Sequence, residues 1–217
     1  MKGKRAAALL CAVLCLLAGA ALLRYQRTSA KRPPDRYAGR IEAFVSPTDA
    51  DGDGIDDQTD ILEGALRYVS QRPKYKSRYY AQGYPDDGFG VCTDVAAAAL
   101  KAAGYDLMLL VREDIRRNPD DYAEPVGDGN IDFRRVRNLK VFFAHTAPAL
   151  TTDVSEIGEW QGGDVVIFES HIGIVSDRRN RHGVPYVIHH NGPWQSAYEQ
   201  DILEKRKDIA GHYRISP

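Results

Sequence analysis

The runs Gly163-Asp164-Val165-Val166-Ile167-Phe168, His171-Ile172-Gly173-Ile174-Val175-Ser176-Asp177 and Tyr186-Val187-Ile188-His189-His190 decide the fold class. Each is short, rich in β-branched residues and bounded by glycine or polar residues, so strands are expected at 165–168, 171–176 and 186–190. The polar turn from Arg178 to Gly183 makes a hairpin of the last two. Upstream the texture is helical. Ile61, Leu62, Ala65, Leu66 and Val69 recur at helical spacing until Pro73. A second helix is expected from Thr93 to Ala103 with Gly104 as its stop, a third from the cap Asp106 to Arg117, and a fourth capped by Asn138 around Leu139 to His145. Helices first and strands second predict an α+β domain with a small antiparallel sheet.

Cys92, in Gly90-Val91-Cys92-Thr93-Asp94-Val95, opens the alanine-rich helix. A helix N-terminus offers backbone N–H groups and positive dipole charge that favour a thiolate, so this cysteine is expected to be an activated nucleophile. One cysteine followed by histidines on later strands is the chain order of a papain-like hydrolase. His171 is the expected general base. His189 and His190 point to opposite faces of a strand, and only one can address a cleft. Asp94 reads as a first-turn helix acid. Asn130-Ile131-Asp132 with Arg134 and Arg135 reads as a buried ion pair locking a loop or as an anion site.

The N-terminus bears on location. Lys2, Lys4 and Arg5 precede an apolar run from Ala6 to Leu23, which contains Cys11 and Cys15 as bystanders. Residues 1–27 are expected to be a signal peptide or, preferably, an uncleaved single-pass transmembrane anchor with the domain outside the cell. Residues 28–45, with Pro33-Pro34, read as a linker, 46–60 as a cation-binding loop and 61–217 as the hydrolase domain. The first 32 residues carry seven basic and no acidic residues, which leaves 22 basic against 30 acidic residues beyond them. An acidic ectodomain gives no basis for nucleic-acid binding.

Asp49, Asp51, Asp53, Asp57 and Asp60 occupy positions 1, 3, 5, 9 and 12 of a loop with Gly54 at position 6, close to the oxygen-ligand spacing of an EF-hand. Asp56 stands where an aliphatic residue is usual and Ile55 precedes it, as in thrombospondin type-3 and dockerin-like loops. Structural Ca2+, bound at ~0.1 to 1 mM, is expected, and no organic cofactor.

The blocks around Cys92, Asn130-Ile131-Asp132-Phe133-Arg134-Arg135-Val136, His171 to Asp177, Val187-Ile188-His189 and Gly211-His212-Tyr213-Arg214 resemble the bacterial family called domain of unknown function 1287. That family resembles the NlpC-type and CHAP-type papain-like superfamily, whose members cleave peptide or amide bonds of bacterial cell walls. The resemblance implies Cys92 as nucleophile, His171 as base and His189 as the group that orients it. The expected function is a membrane-tethered or secreted cysteine amidase or endopeptidase acting on peptidoglycan peptides. The alternatives are a non-catalytic, calcium-stabilised wall-binding module and a transpeptidase or transamidase using the same residues. A zinc site built from Cys92 and the histidines lacks a close-spaced histidine pair.

Overall fold

The computed structural model describes residues 2–215, with side chains from residue 10 on. Helix α1 (Lys2–Arg24) forms, but among the described residues no helix is long and apolar enough to cross a membrane. The expected transmembrane segment is therefore corrected. The uncharged stretch of α1, from Ala6 to Leu23, is eighteen residues, ~27 Å at helical rise against a ~30 Å hydrocarbon core.

Helix α2 (Asp57–Ser70) starts on the Asp56 side chain, which accepts from Thr59 N, and buries Ile61, Ala65 and Val69. A two-stranded parallel pair follows, β1 (Lys74–Tyr75) with β2 (Phe89–Gly90). It delivers the chain to α3 (Cys92–Ala102). Gly64 lets α2 and α3 approach so closely that a Cβ there would lie 2.5 Å from that of Ala102. Gly104, at φ +83°, ends α3. Helix α4 (Leu107–Arg117) is capped by Asp106. A single turn, α5 (Gly129–Asp132), precedes α6 (Val136–Thr146). Asn138 lies inside α6 instead of capping it, and its Nδ2 donates to Asp132 O at 3.0 Å.

The sheet is antiparallel throughout. Its strands are β3 (Val165–Phe168), β4 (Ile172–Arg179), β5 (Pro185–Ile188), β6 (Glu199–Gln200) and β7 (Ile209–Tyr213), in the order β6-β5-β4-β3-β7. Val165, Ile167, Ile172, Ile174 and Ile188 face the helices and share one core with α2, α3, α4 and α6. Val166, Phe168, Val175 and Val187 face the other way, onto Trp160, Val184 and Leu203. Such a doubly covered sheet reads as continuous apolar runs, and each fully buried side chain of this kind contributes ~1.5–3 kcal/mol.

Residues 28–45 do not run free as a linker. Ser29 pairs with Ala197 in a parallel bridge. Arg32 reaches Glu199 (Nε to Oε2, 2.9 Å), Ser176 (3.1 Å) and Asp177. Farther along, Arg36 N donates to Arg179 O at 2.9 Å, and Phe44 lies 4.4 Å beneath the Arg214 guanidinium. Polar anchors and single aromatics hold this strap to the sheet edge, and they leave no periodic apolar signal.

Candidate active site

Cys92 occupies the first position of α3, partly buried. The helix start is tied by Asp94, whose Oδ2 accepts from Val91 N at 2.8 Å. Arg134 grips the same carboxylate from the other side, Nε to Oδ1 at 2.7 Å and Nη2 to Oδ2 at 2.9 Å, with both side chains buried. Arg134 is therefore spent on holding the Cys92 helix against the α5–α6 junction and is not an anion site. Strand β5 pairs with β4 only from Ile174 onward, so the N–H of Ile172 is left for the sulfur of Cys92. That contact sets the thiol beside the start of β4, where His171 stands.

His171 Nε2 and His189 Nδ1 lie 2.8 Å apart, with the rings at 84°. Both side chains are buried. Their protonation follows from the partners. Gln195 spends its two amide N–H bonds on the carbonyls of His189 (3.0 Å) and Ala197 (2.7 Å). Gln200, on β6, accepts from the His189 ring and favours its charged form. The tautomer that fits the Gln200 acceptor has the His189 proton on Nε2, from which Gln195 Nε2 stands off at 3.5 Å, with Nδ1 accepting from His171 Nε2–H and His171 Nδ1 unprotonated. Among the described residues Nδ1 makes no hydrogen bond, and the thiol and this ring are not joined to one another.

Burial sets the resting charges. It pushes the Cys92 thiol up to about 11, against N–H groups of Ile172, Thr93 and Cys92 itself that favour the thiolate. It lowers His171 to about 4, aided by Arg206, and His189 to about 3, aided by His171. The resting pair is thiol and imidazole, not the ion pair expected from a helix-start cysteine; desolvation outweighs the helix terminus here.

His190 faces away from His189. Its ring packs edge-on against Tyr75 (5.2 Å) and Tyr198 (5.1 Å), and neither nitrogen has a partner. Asn191 is exposed. Of the three neighbours only His189 meets His171. Tyr75, whose phenol is raised by burial and by the Cys92 charge, lies beside the sulfur. Its backbone is held at both ends by the Gln26 side chain, Oε1 from Tyr75 N at 2.6 Å and Nε2 to Tyr75 O at 2.8 Å. Sequence reasoning missed Gln26, Gln195 and Gln200. The tyrosine-rich stretch from Tyr75 to Tyr84 was the visible hint of a cleft wall.

The acidic loop stands apart from these residues. Oxygens of Asp49, Asp51 and Asp53 lie within 4.8 Å of one another, all exposed. Asp60 is buried with Oδ2 unpartnered, and its carboxyl is raised by burial and then by Asp53 and Asp51. Asp57 is committed elsewhere: Oδ1 accepts from Ala50 N at 2.8 Å and Oδ2 from Tyr105 Oη at 2.5 Å.

With this geometry in view, the family comparison is direct. The model of the family described as domain of unknown function (DUF1287) matches residues 62–215, and the chain belongs to that family. It is also 35% identical over 167 residues to "Uncharacterized protein YijF" of Escherichia coli (strain K12), covering 71% of this chain and 80% of that protein. No solved structure matches.

Proposed function

We propose that this protein is a cysteine hydrolase of the papain-like kind, related to the NlpC and CHAP groups, that cleaves peptide amide bonds, with cell-wall peptidoglycan peptides as the substrate class. The observation that supports the reading is the helix-start Cys92, whose sulfur accepts from the Ile172 N–H one residue after His171, together with the 2.8 Å contact between His171 Nε2 and His189 Nδ1. In the reaction His171 Nδ1 takes the Cys92 proton as sulfur attacks the amide carbonyl. The Cys92 N–H, at the start of α3, donates to the oxyanion. The tetrahedral species collapses with the C–N bond breaking, and the leaving amine takes the proton from His171. Water, deprotonated by His171, then attacks the thioester carbonyl and releases the acid and the thiol. Because the resting pair is neutral, the proton moves during attack and not before it.

The test is digestion of purified peptidoglycan, with mass spectrometry of the fragments. New amine and carboxyl termini are expected with the wild-type chain and none with Cys92→Ala. Unchanged peptidoglycan with both would overturn the hydrolase, and fragments joined to an added amine would assign a transferase.

We further propose that Asp49, Asp51, Asp53 and Asp60 hold a structural Ca2+. An unpartnered buried oxygen beside three clustered carboxylates fits a hard cation. Calcium at ~1 mM should raise the Tm of the wild-type chain by mass action, and not that of Asp51→Ala/Asp53→Ala. Equal Tm shifts in both would remove the site.

A further inference from the structure

A cavity of about 670 Å³ opens beside the proposed catalytic residues, between the start of the strap and the β1–β2 pair. Arg27, Lys74 and Lys76 line it together with Tyr25, Tyr75 and Phe89, and no acidic residue does. Among the described residues none of the three cations forms an ion pair, and all three are exposed. Beyond residue 32 acids outnumber bases by eight, so a wall lined by three cations and no acid runs against the charge of the domain around it. Three unmatched cations in one concave wall focus positive potential where a ligand would sit. The wall is also built. Gln26 bonds both ends of the Tyr75 peptide, and its own N–H donates to Pro193 O at 2.7 Å, so the strap ties β1 to the loop that follows His190. Tyr75 belongs to both places, one face on the cavity and its phenol near Cys92.

We propose that this cavity is the subsite for a carboxylate of an acidic peptide, held by Lys74, Lys76 and Arg27 while the neighbouring amide lies over Cys92. The proposal rests on the reading of Cys92 as a nucleophile acting on peptides, and it names which peptides: those with a free carboxylate close to the scissile bond. The aromatic rings of Tyr25 and Phe89 give the peptide stem an apolar flank, and the lysines reach the charge as flexible point donors. Substrates whose carboxylate is capped as an amide lose that attraction and are poor ligands.

The experiment measures binding with the full chain carrying Cys92→Ala, so that nothing is turned over. The probes are a stem peptide with a free glutamate α-carboxylate and the same peptide amidated at that position, titrated by calorimetry. The free acid should bind about tenfold tighter, and added salt should shrink the difference. Lys74→Gln/Lys76→Gln should bring the two affinities together, and Arg27→Gln should do so in part. These side chains are exposed and β1 is paired through its backbone, Lys74 N to Gly88 O at 2.8 Å, so the fold should survive; an unchanged near-ultraviolet circular dichroism spectrum checks it. Equal binding of the two peptides, no binding of either, or a preference that survives the double substitution would overturn the subsite. So would inorganic phosphate competing as well as the acid peptide, because the groove would then be a general anion trap. A carboxylate preference without Cys92-dependent cleavage would keep the subsite and sink the hydrolase; cleavage without the preference would do the reverse.

Discussion

Two buried histidine groups sit on the same sheet, and they are treated in opposite ways. On β7, His212 is fully enclosed. Its Nδ1 meets Thr151 O at 2.8 Å, its Nε2 meets Asp164 Oδ2 at 2.9 Å, and its ring stacks 3.8 Å from Trp160. Asp164 also receives Arg214, Gln58 and the Gln161 N–H. Burial alone would raise that carboxyl, but bonds from His212 and Arg214 outweigh it and hold it below the usual range. At the other end of β3 and β4, His171 and His189 have each other and no carboxylate, and His190 has no polar partner. The first group pairs both ring nitrogens of His212 and both carboxylate oxygens of Asp164, and locks the strap, α2 and β7 together. The second holds its histidines without a carboxylate partner, and both nitrogens of His190 are left bare. Buried polarity that is fully paired holds the fold, and buried polarity left underpaired is available for chemistry.

The same substitution in each group tests that division. His212→Ala strips a partner from buried Asp164 and removes the Trp160 stack, so it should cost ~3–5 kcal/mol in denaturant unfolding while the folded fraction keeps its kcat. His171→Ala should leave the Tm nearly unchanged and lower kcat by ~10³-fold or more, since it removes the base. If the two variants lose stability alike, the contrast between scaffold and site fails. A smaller effect sharpens the picture of the second group. His189→Ala should lower kcat by ~10–100-fold with KM little changed, because it orients the base without touching substrate, and Gln200→Ala should follow in the same direction with a smaller loss.

The thiol gives the next measure. With Cys92 raised to about 11, its alkylation by iodoacetamide should be slow at pH 7 and climb steadily through the alkaline range. A plateau already reached below pH 7 would mean a standing ion pair with His171 and would overturn the neutral resting state. Here the sequence misleads for a physical reason: a helix-start cysteine can be recognised from Gly90-Val91-Cys92-Thr93, but the burial that opposes ionisation depends on α2, β4 and Tyr75 closing round it.

Other features were legible to different degrees. Strand β3, the helix capped by Asp106 and the stop at Gly104 follow from local patterns, because β-branched runs, a capping carboxylate and a left-handed glycine act within a few residues. Strand β7 was not legible, since Gly211 and His212 interrupt its apolar alternation and its pairing with β3 comes from about 45 residues upstream. The two-residue strand that carries Gln200 has no pattern to read, although it completes the hydrogen-bond chain from His189. Residues 28–45 looked like a linker because Arg32, Arg36 and Phe44 anchor them one at a time. The apolar run at the N-terminus was legible as a helix, which α1 forms.

The smallest expected effect concerns His190, the member of the second group that meets neither His171 nor His189. Its ring lies edge-on to Tyr75 and Tyr198 with both nitrogens buried and unpartnered, so it behaves as an aromatic that carries a polar cost. Burial lowers it to about 4 from an ordinary 6.5. A histidine whose pKa is depressed on folding binds its proton more weakly in the native state. Its contribution to stability is whole above pH 6.5 and is lost as the pH falls from there towards 4. His171 and His189 are lowered in the same way, so the domain should lose Tm steadily on acidification across this range. His190→Phe keeps the edge-on ring contacts and removes the unpartnered nitrogens. It should raise stability at pH 7 by ~1 kcal/mol and make the acid loss shallower, with turnover unchanged because the ring faces away from His171. A His190→Phe variant that is less stable at neutral pH, or whose Tm falls with acid as steeply as the wild type, would show that the ring has a polar partner and belongs with the paired histidine of β7.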